Sequence, residues 1–175
     1  IKDIACGTRH CVALAENGHV YTWGRGEYGL LGNGSNADRL VPTKNDLIDM
    51  FIQENSENKI VKIDCADEYT GALTKSGELY VWGKNNQGQL GIGAGMGIEY
   101  TESEKMPIAI PMPDKKKVID FSCGENGMMI QTDDKLLYKT GWRIDYTPAL
   151  FDITKNIKPK LFFCGNSYYC MIAGN

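Results

Sequence analysis

"YTWGRGEYGLLGNG", Tyr21–Gly34, decides how the rest of the chain is read. It contains Gly24-Arg25-Gly26-Glu27-Tyr28-Gly29, the spelling of a dinucleotide-binding turn. Such a turn needs its middle glycine, so that the backbone can approach a pyrophosphate, and a helix opening directly after it. Fifty-nine residues on, Tyr80–Gly93 reads "YVWGKNNQGQLGIG". Seven of the fourteen positions are identical: Tyr21/Tyr80, Trp23/Trp82, Gly24/Gly83, Gly29/Gly88, Leu31/Leu90, Gly32/Gly91 and Gly34/Gly93. In the second copy Gly26 becomes Asn85, and "QLGIGAGMG" stands where a helix would have to begin. What recurs is a set of turn glycines behind a Tyr-x-Trp strand, which is the mark of a structural repeat rather than a phosphate cradle.

The repeat extends upstream. "IKDIACGTRHCVALAENGHVYTWG" aligns with "VKIDCADEYTGALTKSGELYVWG", with Cys6 over Cys65. A third copy, "VIDFSCGENGMMIQTDDKLLYKTG", keeps Cys123, Tyr138 and Gly141 but has Thr140 in the tryptophan slot. A fourth opens at "KLFFCGNSYYCMIAGN", with Cys164 in the cysteine slot. The units run approximately over 1–59, 60–116 and 117–158, with a fourth beginning at 159.

The pattern I-x-x-I-x-C-G-x-x-H-x-x-A-L-x-x-x-G-x-V-Y-x-W-G-x-x-x-x-G-x-L-G-x-G resembles the repeat of the RCC1 (regulator of chromosome condensation) family. The resemblance implies an all-β fold, a seven-bladed β-propeller whose blades are four-stranded antiparallel sheets. The chain would supply about three of those blades and is expected to be a fragment. It also implies a non-catalytic scaffold whose face loops bind protein partners. The alternative is a guanine-nucleotide exchange factor for a small GTPase, the activity of the family's founding member.

Composition agrees with a strand-and-turn protein. Of the 175 residues 42% are apolar, and twenty are glycine. Runs such as "GHVYTW", "GELYVW" and "KVIDFSC" are rich in β-branched and aromatic residues. A net charge of −3 argues against a nucleic-acid module. No apolar run reaches the roughly 18 residues that suggest a membrane span. An intracellular setting is expected, with no membrane contact and no cofactor.

The chemistry-bearing residues are few. Cys6, Cys65, Cys123 and Cys164 share one repeat slot, read as packing thiols set far apart around a ring. Cys11 and Cys170 complete the six, no C-x-x-C exists, and neither a metal site nor a disulfide is expected. His10 and His19 are the only histidines, too few for a triad or a histidine metal centre. Trp23 and Trp82 are read as packing between blades, while Trp142 lies out of register.

Function on a repeat scaffold is sought where the units differ. With Pro42, Pro107 and Pro148 as markers of the outer strands, unit one carries an insertion within 44–58 and unit two another within 94–105. Gly and Pro are absent from Lys44 through Val61, which predicts a helix over Asp46–Glu54 with Asn45 or Asp46 as N-cap. Leu47, Ile48, Phe51 and Ile52 would form its apolar stripe. Leu47 and Phe51 are expected to dock and Ile48 and Ile52 to be partly exposed. The candidate partner contacts are Ile48, Phe51, Ile52, Glu54, Glu99 and Tyr100.

Overall fold

The computed structural model describes residues 1–52, 58–93, 101–152, 159–166 and 168–173. The described chain forms three four-stranded antiparallel sheets and one two-stranded sheet, each with its strands in chain order. The first sheet holds β1 (Asp3–Cys6), β2 (His10–Leu14), β3 (Val20–Gly24) and β4 (Arg39–Lys44). The second holds β5 (Ile60–Ala66), β6 (Tyr69–Thr74), β7 (Leu79–Lys84) and β8 (Ser103–Ala109). The third holds β9 (Val118–Gly124), β10 (Gly127–Thr132), β11 (Leu137–Gly141) and β12 (Asp145–Leu150). The pair β13 (Pro159–Cys164) and β14 (Tyr169–Ala173) follows. The first strands of successive sheets lie against one another, so the sheets stand side by side as propeller blades with β1, β5, β9 and β13 innermost.

Burial follows from that stacking. A strand covered on both faces has no solvent side, and every residue of β6 and β10 is buried. In β3 burial alternates: Val20 and Thr22 are buried, Tyr21 and Trp23 half-buried. Trp23 thus differs from its repeat mate Trp82, which is fully buried, because among the described residues no blade covers that face of the first sheet. Trp82 packs with Val12, Leu14, Val20, Ile48, Ile60 and Ile63 between the first and second blades. Tyr69, Leu79, Val81, Leu90, Phe121, Met128 and Tyr138 fill the next interface. Tyr80 is buried too.

The recurring glycines all hold left-handed φ: Gly24 +107° and Gly83 +109°, then Gly29 +73°, Gly88 +74°, Gly32 +62° and Gly91 +63°. Gly26, which does not recur, sits at φ −97°. The opening motif is therefore a set of turn positions in space as well as in sequence. Gly26 is still held by close approach, since a Cβ there would lie 2.2 Å from the Ala37 carbonyl oxygen. Gly26→Ala is accordingly not a silent change.

Each outermost strand carries its proline where the ladder to the preceding strand breaks register. Pro42, Pro107 and Pro148 fall within the shifts at Thr22/Gly24, Val81/Gly83 and Lys139/Gly141. Proline lacks a donor for the ladder, so an edge bulge is where it is tolerated, and it blunts the outer edge against further pairing. The second insertion is shorter than the spacing suggests, because β8 begins at Ser103 and takes in Glu104 and Lys105.

The first insertion contains helix α1 (Asp46–Ile52). Asn45 caps it, its side-chain oxygen accepting from the Ile48 N–H at 3.3 Å. The Asn45 amide nitrogen donates to the Leu31 and Gly32 carbonyls at 2.9 and 3.1 Å, tying the helix to the Gly-x-Leu-Gly loop. Ile48 is fully buried, not partly exposed as its position in the apolar stripe suggested, because the cap turns it into the interface beside Trp82. Asn45→Ala should cost about 1–3 kcal/mol, since it removes the cap and the amide bonds to both loop carbonyls, of which, among the described residues, only that of Leu31 keeps a second donor, the Thr22 hydroxyl at 2.9 Å. A thermal melt reads this directly, and an unchanged melt would deny the cap its role.

Candidate functional site

The antiparallel order sends the β1–β2, β5–β6, β9–β10 and β13–β14 hairpin tips, and the β3–β4 and β7–β8 connections, to one end of the blades. Near the axis, Cys6, Gly7, Thr8, Asp67, Cys123, Glu125, Cys164 and Asn166 line a depression of about 500 Å³. Cys6, Cys123 and Cys164 are thus among its lining residues. Their slot lies at the end of the innermost strands, where adjacent blades meet. Among the described residues no group of three or more ligating side chains could hold a metal.

Blade-to-blade hydrogen bonds repeat with the 59-residue period and fix this end. The Thr8 amide donates to the Asp67 carbonyl at 3.1 Å, and its hydroxyl donates to the Asp67 carboxylate. His10 Nε2 pairs with Thr70 Oγ1 at 2.8 Å. In the next blade Tyr69 occupies the His10 slot, and its hydroxyl donates to the Gly127 carbonyl at 2.8 Å. Burial drives the His10 pKa down to about 4, so the ring is neutral at pH 7. A folded pKa below the unfolded one makes this contribution complete above pH 6.5 and lost as pH falls toward 4. About 2 kcal/mol should be gone at pH 5. Melts of His10→Gln should lack that part of the acid sensitivity, and equal slopes in the two proteins would contradict it.

The tryptophan slot also works across blades. Trp82 Nε1 donates to the Leu30 carbonyl at 3.0 Å, and Thr140 Oγ1, in the same slot, donates to the Gln89 carbonyl at 2.9 Å. The loss of the ring in the third unit therefore keeps the hydrogen bond. Trp142 sits at φ +54° in the short β11–β12 turn, and its ring centroid lies 4.6 Å from that of Tyr169 in the last pair.

Around the tips the surface is charged. Glu27 faces Arg9 at 3.6 Å and Arg25 at 3.5 Å. Lys84 pairs with Glu68 and stands 4.9 Å above the Tyr28 ring, and its pKa is raised chiefly by the Glu68 hydrogen bond. Asp67, Glu68, Lys84, Asn86, Gln87, Gln89, Glu125 and Asn126 enclose a small polar notch between the second and third blades. This cluster was not among the sequence candidates. The hairpin tips keep their length in every unit, so a search for insertions passes over them.

Of the sequence candidates, Ile48 is buried and Phe51 and Ile52 lie on α1 with side chains outside the described residues. Glu54, Glu99 and Tyr100 are outside the described residues altogether. On α1, Asp49 is buried, paired with Lys44 at 2.6 Å and in contact with His19 Nδ1 at 3.0 Å.

Comparison with known proteins settles the family. The model of the regulator of chromosome condensation (RCC1) repeat matches residues 17–73 and 76–130, and a second model of the same repeat matches 1–30 and 60–89. The chain belongs to the RCC1 repeat family. It is 33% identical over 138 residues to the ultraviolet-B receptor UVR8 of Arabidopsis thaliana, covering 79% of this chain and 28% of that protein. It is 35% identical over 135 residues to the human RCC1-like G exchanging factor-like protein, covering 74% and 26%. Identity to the human E3 ubiquitin-protein ligase HERC2 is 31% over 162 residues, 91% of this chain but 3% of that one. The fold matches crystal structures of human WBSCR16 and of yeast RCC1 (Prp20) bound to Kap60. Both give a TM-score of 0.78, at 20% and 22% identity, covering 98% of this chain and 45% and 41% of theirs. This RCC1-repeat chain spans under a third of those curated relatives and under half of the solved ones.

Proposed function

We propose that this RCC1-repeat chain is a non-catalytic interaction scaffold, its hairpin-tip end presenting charged and polar side chains to protein partners. The observation that carries the reading is the blade-to-blade hydrogen bonding behind those tips. A face held rigid by Thr8–Asp67, His10–Thr70 and Tyr69–Gly127 contacts loses little entropy when a partner docks. Rim charges of this kind steer encounter and select partners. Phe51 and Ile52 of α1, with Glu54, Glu99 and Tyr100, are the second set of candidate contacts in this proposal.

A charge reversal tests the face. Glu125→Lys should remove partners from a pull-down of the full-length protein while leaving its melt close to that of the parent. Retention of every partner would exclude the tip end. Ile52→Asp, tested the same way, separates the second region from the first.

The second reading, guanine-nucleotide exchange on a small GTPase, is favoured by one observation, the 35% identity to a relative named as G exchanging factor-like. Exchange predicts faster release of a labelled guanine nucleotide from a GTPase panel when full-length protein is added. The scaffold reading predicts release at the uncatalysed rate.

A further inference from the structure

The repeat slot that holds Cys6 faces a second slot on the neighbouring strand. In the antiparallel register Cys6 lies directly opposite Cys11, Cys65 opposite Thr70, Cys123 opposite Met128 and Cys164 opposite Tyr169. Among the described residues the first blade is thus the one where both slots are cysteine. The hydrogen-bond pattern fixes the kind of pair. The Gly7 N–H donates to the His10 carbonyl at 2.9 Å, so Gly7 and His10 are the hydrogen-bonded pair and Cys6/Cys11 the non-hydrogen-bonded one. Opposed residues of that kind have Cα atoms about 4.5 Å apart and side chains on one face. That separation falls within the range of about 4.4–6.8 Å that a disulfide spans.

We infer that Cys6 and Cys11 are a modification site: a dithiol that closes to a cross-strand disulfide on reaction with a low-molecular-weight disulfide such as glutathione disulfide. Among the described residues Cys6 is exposed and Cys11 half-buried, on the face that also carries Trp23, opposite Cys11 on β3, and Cys6 also lines the axial depression. The exposed Cys6 thiolate attacks one sulfur of glutathione disulfide. An S–S bond forms to Cys6 and one glutathione thiolate leaves. The Cys11 thiolate then attacks the Cys6 sulfur and expels the second glutathione. Two protein thiols are oxidised and one disulfide is reduced to two thiols. The other slot cysteines are poor nucleophiles by comparison, since burial raises Cys65 and Cys123 well above the usual thiol range and pushes Cys164 up to about 12. Burial and the adjoining Cys6 also push Cys11 up to about 11, which makes Cys11 the resolving partner and not the first to react. The bond would brace the turn whose Thr8 and Arg9 reach Asp67 and Glu27.

Trypsin gives a decisive readout, because Arg9 lies between the two cysteines. The chain is incubated natively in a glutathione redox buffer, quenched in acid, blocked with maleimide and digested. The expected result is one linked species, Asp3–Arg9 joined to His10–Arg25, which separates on reduction and is lost in Cys11→Ser. In that variant Cys6 should instead accumulate a glutathione adduct. Cys170, exposed and opposite Phe163, is the internal control and should form only the adduct. Separate adducts on Cys6 or Cys11 without the linked species would overturn the inference. So would two free thiols in a buffer that modifies Cys170.

Discussion

Trp82→Ala is expected to destabilise the protein by about 3–5 kcal/mol, the largest loss among the aromatic positions. The ring is fully buried among residues of the first sheet, its own sheet and α1, and its indole N–H satisfies the Leu30 carbonyl. Truncation removes that packing, opens a cavity and leaves the carbonyl unpaired inside it. Thr140→Ala, in the same slot one unit later, removes a far smaller volume and the two hydrogen bonds of its hydroxyl, to the Gln89 carbonyl and from the Met128 N–H. Its expected cost is about 1–2 kcal/mol. Trp23→Ala should fall between them, since that ring is half-buried. Denaturant melts of the three variants check the order, and equal losses would contradict the assigned register.

Gly83→Ala should be of comparable size, about 3–5 kcal/mol, for a different reason. Its φ of +109° lies where an L side chain is strained, a penalty of about 1–3 kcal/mol by itself. An added Cβ would also lie 2.7 Å from the Glu68 carbonyl oxygen and 2.7 Å from the Tyr69 Cα, both backbone of the paired strand. Backbone cannot swing aside as a side-chain tip can, so β6 and β7 would have to part at the end that carries Tyr69. Gly34→Ala, also at positive φ (+77°) but with the nearest atom to an added Cβ, Leu47 Cδ1, 3.6 Å away, isolates the conformational part and should lose about 1–2 kcal/mol. Equal losses at the two positions would remove the steric half of the argument.

Sequence alone made the blades legible because the 59-residue period put the same residue types in the same slots. The runs "GHVYTW", "GELYVW" and "KVIDFSC" fall on β3, β7 and β9. The helix start was legible for a local reason, an asparagine ahead of an unbroken apolar stripe. The fate of Ile48 was not, since local periodicity ranks faces of a helix but cannot say which one the cap turns toward Trp82. The Cys6/Cys11 pairing was hidden too. A spacing of five residues matches no metal module, and its meaning appears only when the two-residue turn Thr8-Arg9 sets the register. The charged tip end escaped notice because Asp67, Glu68 and Glu125 come from separate units and converge only when the blades stack.

The claim at the centre of this account is that each blade is keyed to the one before it through the tryptophan slot and the facing glycine. A double-mutant cycle on Gly32 and Trp82 tests it most directly. Gly32 holds φ +62°, and a Cβ there would lie 2.8 Å from the Trp82 ring. Gly32→Ala alone should cost about 2–4 kcal/mol, from backbone strain and the clash together. In the Trp82→Ala background the ring is gone and only the strain of about 1–2 kcal/mol remains. The account therefore predicts that the double variant is more stable than the sum of the single losses by about 1 kcal/mol or more. Additive losses would mean that Gly32 and the Trp82 ring do not meet, and that the blades are not keyed in this way.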